Sequence, residues 1–331
     1  MEPYAEVQAQ YLEFARHAEE DSPCFDEWGR GVAGDDEVLA WIQELPGLKR
    51  QPNIVFAAAR WHGVPAPGPY AGLRDALLAD DGTIRATIME RSTQTNEVGR
   101  LATLLPVFAE LVGDGPLALL EAGASAGLNL YPDRWGYEWS TPDGPVRLGP
   151  APHLPCEVTG PAPLPARLPQ VSWRGGVDLN PLDVTDADAM RWLDNLVWPE
   201  GDARRERLRH AVAVAAADPP RLVAGDVVDV LPDLVAEAGR HGTVVVFHSA
   251  VAAYFPPEHR VRFQELMLGL ISGGACHWVS NEAANVFPDI TATAPDGVFG
   301  AHHFVLGVDG RMVARTHGHG RTLDWLDLKR S

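Results

Sequence analysis

The sequence predicts an α/β protein with a seven-stranded mixed sheet and a helical N-terminal region. After residue 115, short apolar segments that end in glycine or acidic residues alternate with amphipathic segments. This alternation is typical of a parallel sheet covered by helices on both faces. Before residue 115, apolar residues recur at intervals of three and four, which indicates helices.

The first 115 residues are predicted to form a helical cap that binds the substrate. Its helices are expected at 7–20, 37–43, 53–61 and 96–112. The last of these ends in the sequence Gly113-Asp114-Gly115-Pro116, which stops a helix and marks the domain boundary.

Residues 116–331 are predicted to form the sheet domain, with a Pro-rich insertion at about 138–170. Five parallel strands are expected at 117–121, 171–178, 221–224, 243–247 and 276–280, with helices at 186–196, 201–217, 228–238 and 257–270. A hairpin around Val308-Asp309-Gly310-Arg311 adds two antiparallel strands. In such sheets ligands bind beyond the carboxyl ends of the strands, where the strand order reverses.

The composition of the chain restricts the classes of molecule that it is expected to bind. The chain has 27 Lys and Arg against 45 Asp and Glu, a formal charge of −18. This charge argues against nucleic acid and anionic membrane surfaces and favours a small-molecule substrate. The three cysteines make no disulfide framework, and the N-terminal segment lacks the features of a signal peptide, so we expect a cytoplasmic protein.

The most informative segment is the loop after the first predicted strand, Glu121-Ala122-Gly123-Ala124-Ser125-Ala126-Gly127. Small residues let the backbone approach a ligand closely, and a helix that begins there would offer free N–H groups to an anion. Glu121 adds a negative charge that a phosphate loop would not favour. A ligand with both positive and negative groups suits this combination, and S-adenosylmethionine is such a ligand.

The ends of the next strands agree with a nucleoside ligand. Asp178, close to Asn180, can accept hydrogen bonds from ribose hydroxyls. Gly225 and Asp226 end the third strand, where a carboxylate can accept from an adenine amino group. His248 and Ser249 end the fourth strand, beside the expected position of the transferable group.

Residues 117–331 resemble a class I S-adenosylmethionine-dependent methyltransferase domain, whose sheet is Rossmann-like. The whole chain resembles an uncharacterised bacterial family described as methyltransferase-like, through the motifs QTNEVGR (94–100), LEAGASAGLNL (120–130), DLNPLDV (178–184) and VVFHSAVAAYFP (245–256). The resemblance implies that the methionine part of the cofactor lies against Glu121, Gly123, Ser125 and Gly127. It also implies that Asp178 holds the ribose, and that Asp226 with Val227 holds the adenine.

Other functions remain open. Gly123-Ala124-Ser125-Ala126-Gly127 is also a G-x-S-x-G sequence, the nucleophile elbow of α/β-hydrolases, with Asp226 and His248 or His317 as possible partners of Ser125. A helical first region and the charge of Glu121 near an oxyanion argue against this alternative. A dehydrogenase would need a G-x-G-x-x-G spacing that is missing. The fold could also bind the cofactor without catalysis.

The same residues have plainer explanations. Gly123 and Gly127 could serve only a tight turn, and Asp178 could begin an Asx turn. Asp226 could cap the helix that follows it. His248, at the end of a buried strand, could be a structural side chain.

The sequence gives weaker signals for the residues that bind the methyl acceptor and for the base. The polar cluster before the last predicted helix of the cap could start that helix or bind substrate; its members are Gln94, Thr95, Asn96 and Glu97. Tyr254 could line the same site. If the acceptor needs a base, His248 is the first candidate and Glu97 the second. The histidine pairs near the C-terminus lack accompanying ligands, so no metal site is expected.

Overall fold

The computed structural model describes residues 5–94, 96–294 and 303–326. The described residues form twelve α-helices: α1 (Ala5–Ala18), α2 (Pro23–Ala33), α3 (Asp36–Gln43), α4 (Pro52–Trp61), α5 (Tyr70–Leu78), α6 (Thr83–Glu90), α7 (Leu101–Val112), α8 (Ala187–Leu196), α9 (Asp202–Ala217), α10 (Val227–Ala238), α11 (Pro257–Ser272) and α12 (Pro288–Thr291). They also form eleven strands: β1 (Pro116–Ala122), β2 (Gly136–Thr141), β3 (Gly144–Leu148), β4 (His153–Thr159), β5 (Gln170–Asp178), β6 (Arg221–Ala224), β7 (Thr243–Ser249), β8 (His277–Ala283), β9 (Phe304–Val308), β10 (Arg311–Thr316) and β11 (Thr322–Trp325).

The chain divides into two compact units. The first contains Met1–Thr95 and Asp186–Arg209, and the second contains Asn96–Thr185 and His210–Ser331. The sequence places the boundary after residue 115, whereas α7 packs on β1, β2 and β4 and lies in the second unit.

The first unit is helical, and its core is rich in aromatic side chains. Phe25 and Phe56 pack edge to face at 5.1 Å between ring centroids, and Trp28 stacks on Phe25 at 5.5 Å. Trp192 of α8 is buried in the same core, and its indole N–H donates to the carbonyl of Ser92 at 2.9 Å. This burial of an aromatic ring explains why residues 186–209 belong with the N-terminal helices.

All eleven strands of the second unit form one sheet, in the order β3-β2-β4-β11-β10-β9-β8-β7-β1-β5-β6. The neighbouring strands β6, β5, β1, β7 and β8 are parallel, and β9 and β10 continue the sheet in antiparallel pairing. The chain runs from β1 outward to β5 and β6 and then returns to place β7 on the other side of β1. The strand order therefore reverses between β1 and β7.

The mixed α/β class predicted from the sequence is confirmed, but the sheet has eleven strands rather than seven. All seven predicted strands are present, and the turn of the predicted β9–β10 hairpin contains Asp309 and Gly310, both with positive φ. Three of the extra strands, β2, β3 and β4, arise largely from the Pro-rich insertion. β4 joins the sheet through β11, which is the fourth extra strand.

Helices cover the strands that carry the site. Phe108 of α7 packs on Phe247 of β7 with ring centroids 5.3 Å apart. A separate apolar cluster joins α10 and α11 to the strands, with Leu231, Phe263 and Trp278 fully buried. Because β1 and β7 are buried along almost their whole length, their carboxyl ends are held rigidly.

Within the described residues, no helix is both long enough and apolar enough to cross a membrane.

Candidate functional site

The loop after β1 needs glycine at its first position. Gly123 has a φ of +74°, and a Cβ there would overlap the side chain of Val251. The N–H groups of Gly123 and Ala124 donate to the carbonyl of Val177 at 2.8 and 3.1 Å. Ser125, although not a glycine, also has a positive φ of +50°. The loop is thus tied to β5 in a strained conformation.

No α-helix begins at this loop, contrary to the expectation from the sequence. Gly127 is followed by a 3-10 helix at Leu128–Leu130 and a second at Pro132–Arg134, after which β2 begins. Arg174 of β5 donates to the carbonyl of Leu130 at 2.6 Å and to both oxygens of Asp133 at 2.8 and 2.7 Å. These contacts hold a tight connection, so the loop offers no α-helix N-terminus to an anion.

Asp178 at the end of β5 holds the loop through its carboxylate. Its Oδ2 accepts from the N–H of Ser125 and its Oδ1 from the N–H of Asn180, each at 2.8 Å. The second bond is the Asx turn that the sequence left open as an alternative. Since each carboxylate oxygen has two lone pairs, Asp178 can still accept from a ligand.

Asp226 follows β6 and caps α10, which is the plainer explanation considered for it. Its Oδ1 accepts from the N–H of Val228 at 2.8 Å. The Nε2 atom of His259, the third residue of α11, lies 3.3 Å from the same oxygen. Asp226 therefore caps α10 and also lies beside the imidazole ring of His259, just after the end of β6.

A cleft of about 360 Å³ lies beside these residues, at the carboxyl ends of β1, β5, β6 and β7. Six of the residues predicted to bind cofactor or substrate line it: Gly123, Asp178, Gly225, Asp226, Val227 and Tyr254. It is also lined by six residues that the sequence analysis did not single out: Val177, Leu179, Val251, Phe255, Pro256 and His259. Val177, Leu179 and Val251 lie at or just after the end of a strand, which is a signal that could have found them, whereas Phe255, Pro256 and His259 lie farther along the chain, before or within α11.

His248, predicted to be the base, lies in the interior instead of lining this cleft. Its side chain is fully buried, its Nδ1 lies 2.7 Å from Oε1 of Glu282, and Phe263, Trp278 and Phe287 surround the ring. The same Oε1 accepts from the N–H groups of Val251 and Ala252, both at 3.0 Å. The His248–Glu282 pair therefore fixes the loop after β7.

Glu121 is buried on the opposite side of β1 from the apolar cluster of α10 and α11. Its Oε1 accepts from Nδ2 of Asn129 at 3.1 Å, while its Oε2 is buried and has no hydrogen-bond partner in the part of the chain that the structure describes. Burial raises the pKa of Glu121 to about 8, although the hydrogen bond from Asn129 and the charge of Arg100 act in the opposite direction. A cationic ligand group beside Glu121 would favour its ionised form.

Ser249 and Arg100 join β7 to two other segments. Oγ of Ser249 accepts from Nδ2 of Asn281 at 2.9 Å. Arg100 donates to the carbonyls of Ser249 and Gly318 at 2.9 and 2.8 Å. These bonds give Ser249 a structural role at the end of β7.

The predicted substrate residues are divided between the two units. Asn96 lies in the second unit, and its Oδ1 accepts from the N–H of Leu128 at 3.2 Å. Glu97 is buried, and its Oε1 accepts from the N–H of Gly99 at 3.0 Å. Gln94 belongs to the first unit, and Thr95 lies outside the described residues. Tyr254 lines the cleft and is half exposed.

The hydrolase alternative lacks a triad among the described residues. Oγ of Ser125 is buried with no hydrogen-bond partner, so neither His248 nor His317 is bonded to it. Asp226, the expected third member, caps α10.

The structure defines a mixed α/β protein with a cleft at a reversal of strand order. The chain belongs to the family DUF2332, described as an uncharacterized protein conserved in bacteria, whose model matches residues 8–325. No curated protein sequence and no solved structure matches the chain.

Proposed function

We propose that this protein binds S-adenosylmethionine in the cleft and transfers its methyl group to a small-molecule acceptor. The observation that carries the proposal is that Gly123, Asp178 and Asp226, from three different strand ends, line one cleft. The sequence predicts a cofactor role for each of them from its place at the end of a strand. A Rossmann-like arrangement of β6, β5, β1, β7 and β8 is part of this proposal.

The dimensions and charges of the cleft suit a nucleoside better than a nucleotide. Its volume of about 360 Å³ lies within the range of about 300–1,000 Å³ typical of small-molecule sites. Its lining includes Asp178 and Asp226 but no Lys or Arg. Because phosphate binding depends on cations or free N–H groups, this lining disfavours a dinucleotide.

Two polar atoms for the methionine end lie near the end of β1. Oε2 of Glu121, in the strand, and Oγ of Ser125, in the loop after it, are buried without a hydrogen-bond partner among the described residues. Buried polar atoms in this condition cost free energy, which a ligand could recover. Neither Glu121 nor Ser125 lines the cleft, so they would hold the amino-acid end only of a ligand that extends past it toward β1, while Asp178 and Asp226 hold the nucleoside end.

Methyl transfer from this cofactor requires the protein mainly to position the two reactants. The cofactor would supply a methyl group already activated by its sulfonium. Asp178 orients the ribose and keeps the loop after β1 in place, and the apolar lining of Val177, Val251 and Phe255 excludes water. His248 and Glu97 stay predictions as bases, and each is buried and bonded to a neighbour.

Calorimetric titration with S-adenosylmethionine and S-adenosylhomocysteine tests the binding step. We expect saturable binding of both, and a loss of about 10-fold or more in affinity for Asp226→Ala, because a charged acceptor is removed. Asp233→Ala is the matched control, since Asp233 is an exposed carboxylate of the same helix. Failure of both compounds to bind would overturn the proposal.

Transfer itself is tested by incubating the protein with cofactor labelled in the methyl group and a fractionated small-molecule extract. Label should appear in a small molecule and depend on intact protein. Binding without any transfer would instead favour the non-catalytic alternative.

A further inference from the structure

His259 is a titratable residue of the cleft to which the proposed function gives no role. It lies in the first turn of α11, and its side chain is mostly buried against the ring of Phe255, 5.2 Å away edge to face. Its Nε2 is 3.3 Å from Oδ1 of Asp226. Since both residues line the cleft, a ligand acceptor placed beside them could compete with Asp226 for the N–H of this ring.

Asp226 also has unused capacity on this side. Its Oδ1 caps α10 by accepting from Val228, whereas its Oδ2 accepts no hydrogen bond from the described residues. The carboxyl group is partly exposed where it borders the cleft. The cleft wall therefore carries an acceptor, Asp226, directly beside a possible donor, the His259 ring.

A neighbouring acceptor and donor match one edge of adenine. That edge presents the N6 amino group, a donor, next to N7, an acceptor. In a 6-oxopurine the amino group is replaced by an oxygen, and both positions become acceptors. The oxygen would then face the carboxylate of Asp226 and leave it without a partner, which is how a polar site rejects an analogue.

We infer that His259 completes the subsite for the purine base beside Asp226 and makes it select a 6-aminopurine over a 6-oxopurine. In this arrangement Asp226 accepts from the N6 amino group, and His259 donates to N7 from a protonated Nε2. Phe255 holds the imidazole ring, and the exposed side chain of Leu179 supplies apolar surface at the mouth of the cleft. The inference rests on the proposed function, since it assumes that a nucleoside occupies the cleft.

The test compares S-adenosylhomocysteine with S-inosylhomocysteine, which differs from it in the 6-position of the base. For the unaltered protein we expect a preference of about 100-fold for the amino compound. His259→Phe should reduce the preference to about 10-fold or less, because it keeps a ring beside Phe255 but removes the donor. His259→Gln, which retains an N–H donor, should keep a larger part of the preference.

Glu258→Ala is the matched control, because Glu258 is the exposed residue next to His259 on α11 and does not line the cleft. It should leave the preference unchanged. Thermal unfolding of each variant shows whether the fold is retained, and His259→Leu, which also removes the donor, keeps the test decisive if the Phe variant does not fold.

Two outcomes separate this inference from the proposed function. Equal affinity of the unaltered protein for both compounds, or an unchanged preference in His259→Phe and His259→Gln, would overturn the inference while leaving cofactor binding intact. Binding of neither compound would overturn both.

Discussion

The carboxylate of Asp178 accepts a hydrogen bond from the backbone N–H of Ser125, 2.8 Å away on the neighbouring strand end. Because Asp178 also lines the cleft, one side chain both holds the loop after β1 and faces the ligand. Its removal should therefore affect the stability of the fold and ligand affinity together.

Asp178→Ala should lower the free energy of unfolding by about 1–3 kcal/mol, since two backbone N–H groups lose their acceptor. Affinity for S-adenosylhomocysteine should fall about 10-fold or more. Asp178→Asn keeps an acceptor oxygen, so it should recover part of the stability. Urea unfolding and calorimetric titration measure the two effects.

Asp183→Ala serves as the control, because among the described residues Asp183 bonds only to Thr185, in the same segment between β5 and α8. Full affinity in Asp178→Ala would remove Asp178 from the ligand site.

Gly123→Ala should destabilise the protein by about 2 kcal/mol or more. A left-handed conformation costs an alanine about 1–2 kcal/mol, and its Cβ would also overlap Val251. Gly269→Ala on α11 is an informative control, because a Cβ there meets nothing within 4 Å. That change should stabilise the helix by about 0.5–1 kcal/mol. Chemical unfolding of both variants measures the difference, and equal stability of the two would contradict the strained loop.

Glu121 should make stability depend on pH in a specific window. Its carboxyl keeps a proton up to a pKa of about 8 in the folded chain, against 4.5 as the ordinary value. Between these pH values the folded state binds more protons than the unfolded state. The free energy of unfolding therefore falls as pH rises, by at most about 1.4 kcal/mol per pH unit from this group.

Glu121→Gln removes this titration while keeping an acceptor for Asn129. The variant should gain stability relative to the unaltered protein as the pH rises from about 5 to about 9, when both are unfolded in urea at each pH. Subtracting the unfolding free energies of the two proteins at each pH removes the contribution of the other titrating groups, which both proteins share. A difference that does not change with pH would show that the buried carboxyl is not protonated in the folded state.

Glu282→Ala should be among the most damaging substitutions near the site. It leaves the His248 ring and the N–H groups of Val251 and Ala252 without their shared acceptor. We expect a loss of about 3–5 kcal/mol in unfolding free energy. Glu265→Ala on the exposed face of α11 should change stability by no more than about 0.5 kcal/mol.

A double-substitution cycle tests the pairing directly. His248→Phe should cost less in the Glu282→Ala background than in the unaltered protein, because the two residues share one hydrogen bond. Strictly additive costs would contradict the coupling.

Ser125 should not react with a fluorophosphonate probe. Its Oγ is buried and no histidine is bonded to it, so nothing activates it as a nucleophile. A serine hydrolase treated in parallel shows that the probe is active. Labelling that is lost in Ser125→Ala would revive the hydrolase alternative.

Strand ends were the part of this molecule that the sequence predicted best. The segments that form β1 and β7 are apolar on both faces and stop at a glycine or a polar residue. Their apolar pattern and the way they end therefore both indicate buried strands. The residues that follow such strands could therefore be assigned to one edge of the sheet. This reasoning predicts a shared position for Gly123, Asp178 and Asp226, and all three line one cleft.

The features that the sequence did not predict depend on contacts between residues that are far apart in the chain. The connection after Gly127 forms 3-10 turns because Arg174, far along the chain, bonds to Leu130 and Asp133. β4 alternates buried and exposed residues, a strand signal that Pro155 within it obscured. The nearness of His259 to Asp226 depends on the packing of α11 beside α10, which no local pattern encodes.

The return of residues 186–209 to the N-terminal helices has a consequence for dissecting the protein. The chain visits the first unit twice, so cutting before residue 96 would strip Trp192 of the helices that bury it. Such a fragment would carry an uncovered aromatic face and tend to aggregate. An autonomous sheet unit would require excising this excursion as well and bridging the gap with a short flexible linker.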